Sequence, residues 1–149
     1  MSLILASSSP FRKDILMKLG MPFVTTCPDI DESRNISESP YNLVTRLSEE
    51  KALKASETHS GLIIASDQVA TLDSGNNETD KIFNKPLTQE NAFLQLKQSS
   101  GRTVTFLTGI VLMNTETLNI QSHVEFYRVT LKPLSDNQIL SYLESENVL

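Results

Sequence analysis

One short apolar run constrains the fold of this chain more than any other feature. Residues 61–65 have the sequence Gly-Leu-Ile-Ile-Ala, and Ser66, Asp67 and Gln68 follow directly. Such a run predicts a strand buried at the centre of a sheet. We therefore expect Asp67 at the carboxyl end of a buried strand, which is where open α/β sheets bind their ligands. A carboxylate in that position needs a cationic partner or a metal ion.

The other periodic segments predict an α/β fold with a mixed central sheet and flanking helices. The apolar run at residues 3–6 predicts a first strand, and Ser9 with Pro10 predicts the start of a helix that ends before Gly20. Similar signals predict strands at residues 23–27, 103–113 and 124–131, and helices after the caps Ser39, Thr88 and Ser135. Strands and helices alternate early and two long strands follow each other later, which favours a mixed sheet. Residues 72–84 are rich in turn formers and predict a surface loop or hairpin tip.

Composition and charge exclude several classes of protein. The 149 residues are 39% hydrophobic and 21% charged, as in a globular domain rather than a disordered chain. The net charge of −5 argues against binding to polymeric nucleic acid, which requires a basic surface. Cys27 is the only cysteine, so neither an intrachain disulfide nor a four-thiolate zinc site can form. The amino terminus has no leader or membrane-spanning pattern, and we expect a cytoplasmic protein that does not bind membranes.

Residues 7–12, Ser-Ser-Ser-Pro-Phe-Arg, form the first candidate site. Hydroxyls, the free amides of a helix start and the guanidinium of Arg12 match the needs of a phosphate group. An ordinary capped helix with a solvated arginine is the alternative, because such caps are common. Lys85 and Arg102 add cations in turns, where they could contact phosphate oxygens or only water.

Carboxylates form the second candidate site. Asp31 and Glu32 lie in a polar stretch, Glu50 precedes Lys51 on a predicted helix, and Asp67 follows the central strand. Hard cations such as Mg²⁺ and Mn²⁺ take oxygen ligands of this kind. A solvated helix face is the alternative for Glu50 and Lys51. The sequence contains neither a GxxxxGK[ST] loop nor a GxGxxG loop, so the two commonest nucleotide-binding motifs are absent.

Taken in order, these motifs resemble those of the Maf family of nucleoside triphosphate pyrophosphatases. The resemblance rests on residues 3–12, 31–32, 50–52, 66–69, 85–86 and 100–101, and it covers essentially the whole chain. Ser-Asp-Gln-Val at residues 66–69 and the aromatic Phe11 are similar to the branch that hydrolyses 7-methyl-GTP rather than dTTP and UTP. The resemblance implies cleavage between the α and β phosphates to give 7-methyl-GMP and pyrophosphate. It also implies a role in clearing modified nucleotides, with a link to cell division arrest.

The resemblance further implies a fold, a cofactor and site residues. The fold is an elongated α/β structure of the Maf/ITPase type with a mixed sheet and a cleft, often in a homodimer. The cofactor is a divalent cation, Mg²⁺, Mn²⁺ or Co²⁺, and the partner is a small nucleoside triphosphate. Carried over by position, the catalytic set is Asp67, Glu32, Lys51 and Lys85, the metal ligands are Glu32 and Asp67, and the substrate-binding residues are Ser8, Arg12, Phe11 and Gln68. Within these sets Asp67 is the catalytic carboxylate, the cations neutralise the triphosphate, and Phe11 and Gln68 influence the choice of base.

Two departures from the family pattern shape the remaining expectations. Residues 74–81 resemble an inserted loop that could shift Lys85 or fold over the cleft, and the chain ends at Leu149, where the family continues through a glycine-rich segment. We therefore expect residues 1–149 to form a single Maf-like domain that is incomplete at its carboxyl end. A nucleotide-binding regulator without turnover, a dTTP or UTP pyrophosphatase and a purely structural interaction domain are the alternative functions.

Overall fold

The computed structural model of the chain describes residues 1–73 and 81–146. The elements in chain order are β1 (Leu3–Ala6), α1 (Pro10–Met17), β2 (Val24–Thr26), α2 (Pro40–Ser56), β3 (Leu62–Leu72), β4 (Lys81–Phe83), α3 (Gln89–Ser99), β5 (Thr103–Asn114), β6 (Asn119–Thr130) and α4 (Asp136–Ser145). The predicted α/β class is confirmed. In the described ranges no helix is long and apolar enough to cross a bilayer.

The strands form a mixed sheet in the order β2-β1-β3-β5-β6, with β4 also paired to β3. Strand β1 is parallel to both β2 and β3, and its pairing with β3 runs from Leu3 opposite Leu62 to Ala6 opposite Ala65. Strand β4 is antiparallel to β3, with Lys81 opposite Leu72. This pairing confirms the hairpin predicted within residues 72–84. The predicted inserted loop falls almost entirely on residues 74–80, which lie outside the described residues.

Each helix begins with the hydroxyl cap that the sequence predicts. The Ser9 side chain accepts a hydrogen bond from the backbone N–H of Arg12, and Pro10 occupies the first turn of α1. Ser39, Thr88 and Ser135 cap α2, α3 and α4 in the same way, and Ser135 forms a full capping box with Gln138. Past the end of α1, Gly20 has a φ of 71°, a left-handed conformation that favours glycine.

Two strands are longer than predicted. Strand β3 continues to Leu72, so Asp67 lies within a strand and not at its carboxyl end. The strand continues because its last three residues, Ala70, Thr71 and Leu72, pair with β4. Asp67 does lie two residues beyond Ala65, the last residue of β3 that pairs with β1, and thus just past the parallel part of the sheet. Strand β6 begins at Asn119, because the polar residues at its start form an exposed edge strand beside β5.

The chain divides into two compact units. The first unit comprises residues 1–68 and 108–125, and the second comprises residues 69–107 and 126–149. Apolar side chains from β1, α2, β3 and β5 form a core in the first unit: Ile4, Ala6, Ala52, Ala55, Ile63, Ala65, Val111 and Met113. Helices α3 and α4 supply the buried side chains Ala92, Ile139 and Leu143 in the second unit. Packing of α2 on the sheet is close, since a Cβ at Gly109 would lie 2.7 Å from the Val44 carbonyl oxygen.

Candidate active site

The Lys51 ammonium stands between two carboxylates in the first unit. Its Nζ lies 2.9 Å from Asp67 Oδ1 and 3.2 Å from Glu32 Oε1. The Lys51 and Asp67 side chains are only 12% and 14% exposed, whereas Glu32 is 54% exposed. Two buried charges of opposite sign are thus paired, and the more exposed acid completes the group. The alternative of a solvated helix face is wrong for Lys51, whose side chain is mostly buried, whereas the Glu50 side chain is 40% exposed.

Packing of α2 against the sheet brings these groups together. Lys51 precedes Ala52, which is fully buried against the strands. The lysine therefore borders the buried stripe of the helix, and its long side chain reaches the polar segment of β3 that begins at Ser66. Ser66 itself is buried and donates a hydrogen bond from its hydroxyl to the Gly109 carbonyl oxygen at 2.7 Å, which fixes the backbone beside Asp67.

Arg46 fastens the loop that carries Glu32 to the same helix. Its Nε and Nη2 donate to the two carboxylate oxygens of Glu38 at 2.7 and 2.9 Å, and Nη2 also donates to the Ser33 carbonyl oxygen at 2.8 Å. These hydrogen bonds are the main cause that lowers the pKa of Glu38 to about 2, and they raise the pKa of Arg46. The sequence pattern did not indicate that Arg46 and Glu38 pair beside the candidate site. The one local signal is the spacing of Arg46 and Glu50, which form an i,i+4 ion pair at 3.1 Å.

Within the loop, Asp31 holds the backbone next to Glu32. Its Oδ1 accepts hydrogen bonds from the N–H of Ser33 at 2.9 Å and from the Ser33 hydroxyl at 2.5 Å. Mainly the side-chain hydrogen bond, together with the backbone one, lowers the pKa of Asp31. The two acids that the sequence placed side by side therefore do different things: Asp31 shapes the loop and Glu32 pairs with Lys51.

In the serine loop at residues 7–9, two hydroxyls accept backbone hydrogen bonds and the third is exposed to solvent. Ser7 Oγ accepts from the N–H of Ser9 at 3.0 Å, and Ser9 Oγ accepts from the N–H of Arg12 at 3.3 Å. Ser8 is exposed, and no hydrogen bond engages its hydroxyl within the described part of the chain. Arg12 Nη1 donates to the Ser66 carbonyl oxygen at 3.1 Å, one residue before Asp67. Phe11 is 79% exposed at the start of α1.

Gln68 and Lys85 complete the set of predicted site residues. Gln68 is exposed, and its Nε2 donates to Thr108 Oγ1 at 2.9 Å in the first unit. Lys85 is exposed and follows β4 in the second unit. The first unit therefore contains seven of the eight residues: Ser8, Phe11, Arg12, Glu32, Lys51, Asp67 and Gln68. Direct contacts join Glu32, Lys51 and Asp67, and Arg12 reaches the strand beside them.

The acids of this cluster fit a hard divalent cation by their chemistry. No three His, Cys, Asp or Glu side chains gather as a metal site among the described residues. Asp67 and Glu32 do share one ammonium, so both carboxylates face a common point where a cation is already accommodated. Mg²⁺ is commonly held by one or two carboxylates together with water and substrate phosphate oxygens. The two carboxylates of Asp67 and Glu32 are therefore enough for a metal ion that binds together with a phosphate group.

Comparison with known proteins identifies the family of this chain. Residues 2–149 match the model of the family described as Maf-like protein. The chain belongs to the Maf family. This membership confirms the resemblance noted in the sequence, and it extends over nearly all of the chain.

Three relatives of this Maf chain are named 7-methyl-GTP pyrophosphatase. The protein of Pseudoalteromonas atlantica is 48% identical over 146 residues, which are 98% of this chain and 72% of the relative. The Vibrio cholerae protein is 43% identical over 99% of this chain and 73% of its own length. The Pseudomonas aeruginosa protein is 45% identical over 99% of this chain and 74% of its own length.

Solved structures that resemble this chain confirm the predicted fold type. A HAM1 protein from Coxiella burnetii superposes with a TM-score of 0.57 at 16% identity, covering 87% of this chain and 72% of that one. A nucleoside-triphosphatase, or dITP/XTP pyrophosphatase, from Mycobacterium abscessus gives a TM-score of 0.52 at 15% identity, covering 87% of this chain and 74% of that one. At such low identity the likeness concerns the fold alone.

Proposed function

We propose that this Maf protein is a nucleoside triphosphate pyrophosphatase that hydrolyses 7-methyl-GTP to 7-methyl-GMP and pyrophosphate. The observation that carries the reaction is the mostly buried Lys51–Asp67 pair with Glu32 on the same ammonium. Cleavage of a phosphate anhydride needs a base for water and positive charge for the phosphates, and this cluster offers both. The names of three relatives at 43–48% identity support the substrate.

In this proposal Asp67 accepts a proton from the attacking water. The Lys51 ammonium donates a hydrogen bond to Asp67 Oδ1 at 2.9 Å and thereby fixes the position of this carboxylate. Water adds across the α–β anhydride, the bond between the α and β phosphates breaks, and pyrophosphate leaves. Glu32 and Asp67 would hold a divalent cation, which when bound supplies charge neutralisation for the phosphate oxygens.

The opening of α1 is proposed to bind the triphosphate. Arg12 lies at a helix start, and its hydrogen bond to the Ser66 carbonyl oxygen directs the guanidinium toward the strand that carries Asp67. Ser8 has an exposed hydroxyl for a phosphate oxygen. Phe11 presents an exposed ring on which a positively charged methylated guanine can stack. Lys85 stays a prediction from the family pattern, as a further cation for the triphosphate.

Pyrophosphate release from purified protein tests this function. We expect release from 7-methyl-GTP in the presence of Mg²⁺, Mn²⁺ or Co²⁺, and much less from GTP, dTTP and UTP. Asp67→Asn removes the proton acceptor and should lower kcat by about a hundredfold or more, since general base catalysis contributes about 10²- to 10⁴-fold. Asp14→Asn, a change at an exposed carboxylate on α1, is the matched control and should leave kcat unchanged.

The other functions give different results in the same assay. A regulator without turnover would bind 7-methyl-GTP in a saturable way and release no pyrophosphate. A pyrophosphatase for dTTP or UTP would release pyrophosphate with the opposite order of substrates. Full activity of Asp67→Asn would overturn the role of this residue even if the wild-type protein is active.

A further inference from the structure

The Arg46 guanidinium lies near the proposed site but is fully engaged by the protein itself. Nε donates to Glu38, Nη1 donates to the two carboxylate oxygens of Glu50 at 3.1 and 3.3 Å, and Nη2 donates to Glu38 and to the Ser33 carbonyl oxygen. All three guanidinium nitrogens thus donate to groups of the protein. The charge of Arg46 is balanced by two acids.

These contacts hold the loop at residues 31–38, which precedes α2 in the sequence, near both of its ends. The Ser33 carbonyl oxygen belongs to the residue that follows Glu32, and Glu38 stands at the end of the loop, just before the cap of α2. Glu38 also accepts from the N–H of Asn35 at 3.2 Å, so the middle of the loop is tied to the same carboxylate. A loop without regular structure is thus clamped at one arginine.

The same helix carries both the clamp and the ammonium that Glu32 contacts. Arg46 and Lys51 are separated by little more than one turn of α2. Glu32 is 54% exposed, and a single ion pair to Lys51 at 3.2 Å is a weak restraint at such exposure. The position of Glu32 relative to Asp67 therefore depends on the bond from Arg46 to its neighbour Ser33.

We infer that Arg46 is a positioning residue for the divalent cation, acting by holding Glu32 at the Lys51–Asp67 pair. The inference rests on the proposed function, in which Glu32 is a metal ligand. Groups that orient metal ligands typically contribute about 10- to 100-fold in metal affinity when removed. The fork geometry is essential, because the planar guanidinium donates from two nitrogens to the two carboxylate oxygens of Glu38 and from one of them also to the Ser33 carbonyl oxygen. The single nitrogen of an ammonium does not reproduce this bidentate pattern.

Binding of Mn²⁺ to the protein saturated with a non-hydrolysable α,β-methylene analogue of 7-methyl-GTP tests this inference without any turnover, because the two carboxylates are expected to hold the cation together with phosphate oxygens. In titration calorimetry we expect Arg46→Gln to weaken Mn²⁺ affinity about 10- to 100-fold. Arg46→Lys should stay weak despite its charge. The double variant Arg46→Gln with Glu32→Gln should bind no more weakly than Glu32→Gln alone, because both changes remove the same ligand. Lys54→Gln, at an exposed ion pair on the same helix, is the control and should bind as the wild type does.

Hydrogen exchange separates positioning from general destabilisation. Amides of residues 31–38 should exchange faster in Arg46→Gln, while those of β1 and β3 keep their wild-type protection. Unchanged Mn²⁺ affinity in Arg46→Gln, full recovery in Arg46→Lys, or fully additive losses in the double variant would overturn the inference. A wild-type protein that binds Mn²⁺ in this way but releases no pyrophosphate would overturn the proposed function and leave the positioning role of Arg46 supported.

Discussion

Single side chains in the candidate site have sharply different surroundings. The Asp67 and Lys51 side chains are mostly buried and form an ion pair at 2.9 Å, so each charge has a partner inside the fold. Phe11, by contrast, is 79% exposed. An aromatic ring that is mostly exposed in the fold can still lose accessible surface, and so gain binding free energy, when a ligand stacks on it. We therefore assign the electrostatic part of the proposed reaction to the pair and the choice of base to the exposed ring.

Removal of the Phe11 ring should change base preference and spare the chemistry. Stacking of a cationic base on an aromatic ring contributes about 0.5–2 kcal/mol, so Phe11→Ala should reduce the preference for 7-methyl-GTP over GTP by roughly 2- to 30-fold. Turnover of GTP should stay near the wild-type value. The ratio of the two kcat/KM values is the measurement, with Ile15→Ala, another exposed apolar residue on α1, as control. An unchanged ratio would count against stacking at Phe11.

At the scale of elements, the loop at residues 31–38 and helix α2 form one electrostatic unit. The hydrogen bonds from Arg46 are the main cause of the low pKa of Glu38, about 2 in place of the ordinary 4.5. A carboxylate whose pKa is lowered by folding stabilises the folded state above its unfolded pKa, and this contribution disappears as the pH falls toward the folded pKa. The attachment of the loop should therefore weaken between about pH 4.5 and pH 2.

Substitution of Glu38 tests this pH dependence. The free energy of unfolding of the wild type should fall more steeply over that acidic range than that of Glu38→Gln, which has no carboxylate to protonate. Urea unfolding at about pH 5 and about pH 3 measures the difference in slope. Glu116→Gln, in the exposed turn between β5 and β6, should retain the wild-type slope. Equal slopes for the wild type and Glu38→Gln would contradict the assignment.

The elements also show which features a sequence can predict. Helix starts were predictable at Ser9, Ser39 and Ser135 because a cap and its amide lie three residues apart. The full length of β3 was not, because the last three residues of the strand pair with β4, a contact that their own sequence does not indicate. The prediction that Asp67 and Glu32 belong to the candidate site followed from the order of the motifs.

The clamp at Arg46 was not predictable from the sequence. Its partner Glu38 belongs to a loop whose path has no periodic signal. The contact of Lys51 with Asp67 also depends on how α2 packs on the sheet, which motif order does not describe. Local hydrogen bonding is encoded within a few residues, whereas these contacts depend on the tertiary arrangement.

At the scale of the whole molecule, ligand binding should raise the stability of the chain. A ligand that binds only the folded state stabilises it by about 2.7 kcal/mol at a hundred times its dissociation constant. We expect thermal unfolding to shift upward with Mn²⁺ and a non-hydrolysable α,β-methylene analogue of 7-methyl-GTP, and less with the analogue alone. No shift with any nucleotide would favour a purely structural interaction domain. Light scattering of the same samples tests the predicted homodimer.

The serine run at the start of α1 has a consequence for mutational scanning. Ser7 and Ser9 use their hydroxyls to hold backbone amides, while the hydroxyl of Ser8 between them faces solvent. Single alanine substitutions at these three positions should therefore change two different measured quantities. The outer two changes should shift the folding equilibrium, and the central one should shift affinity for the triphosphate. Three consecutive serines thus have two different roles: the first and third stabilise the backbone, and the second is available to the substrate.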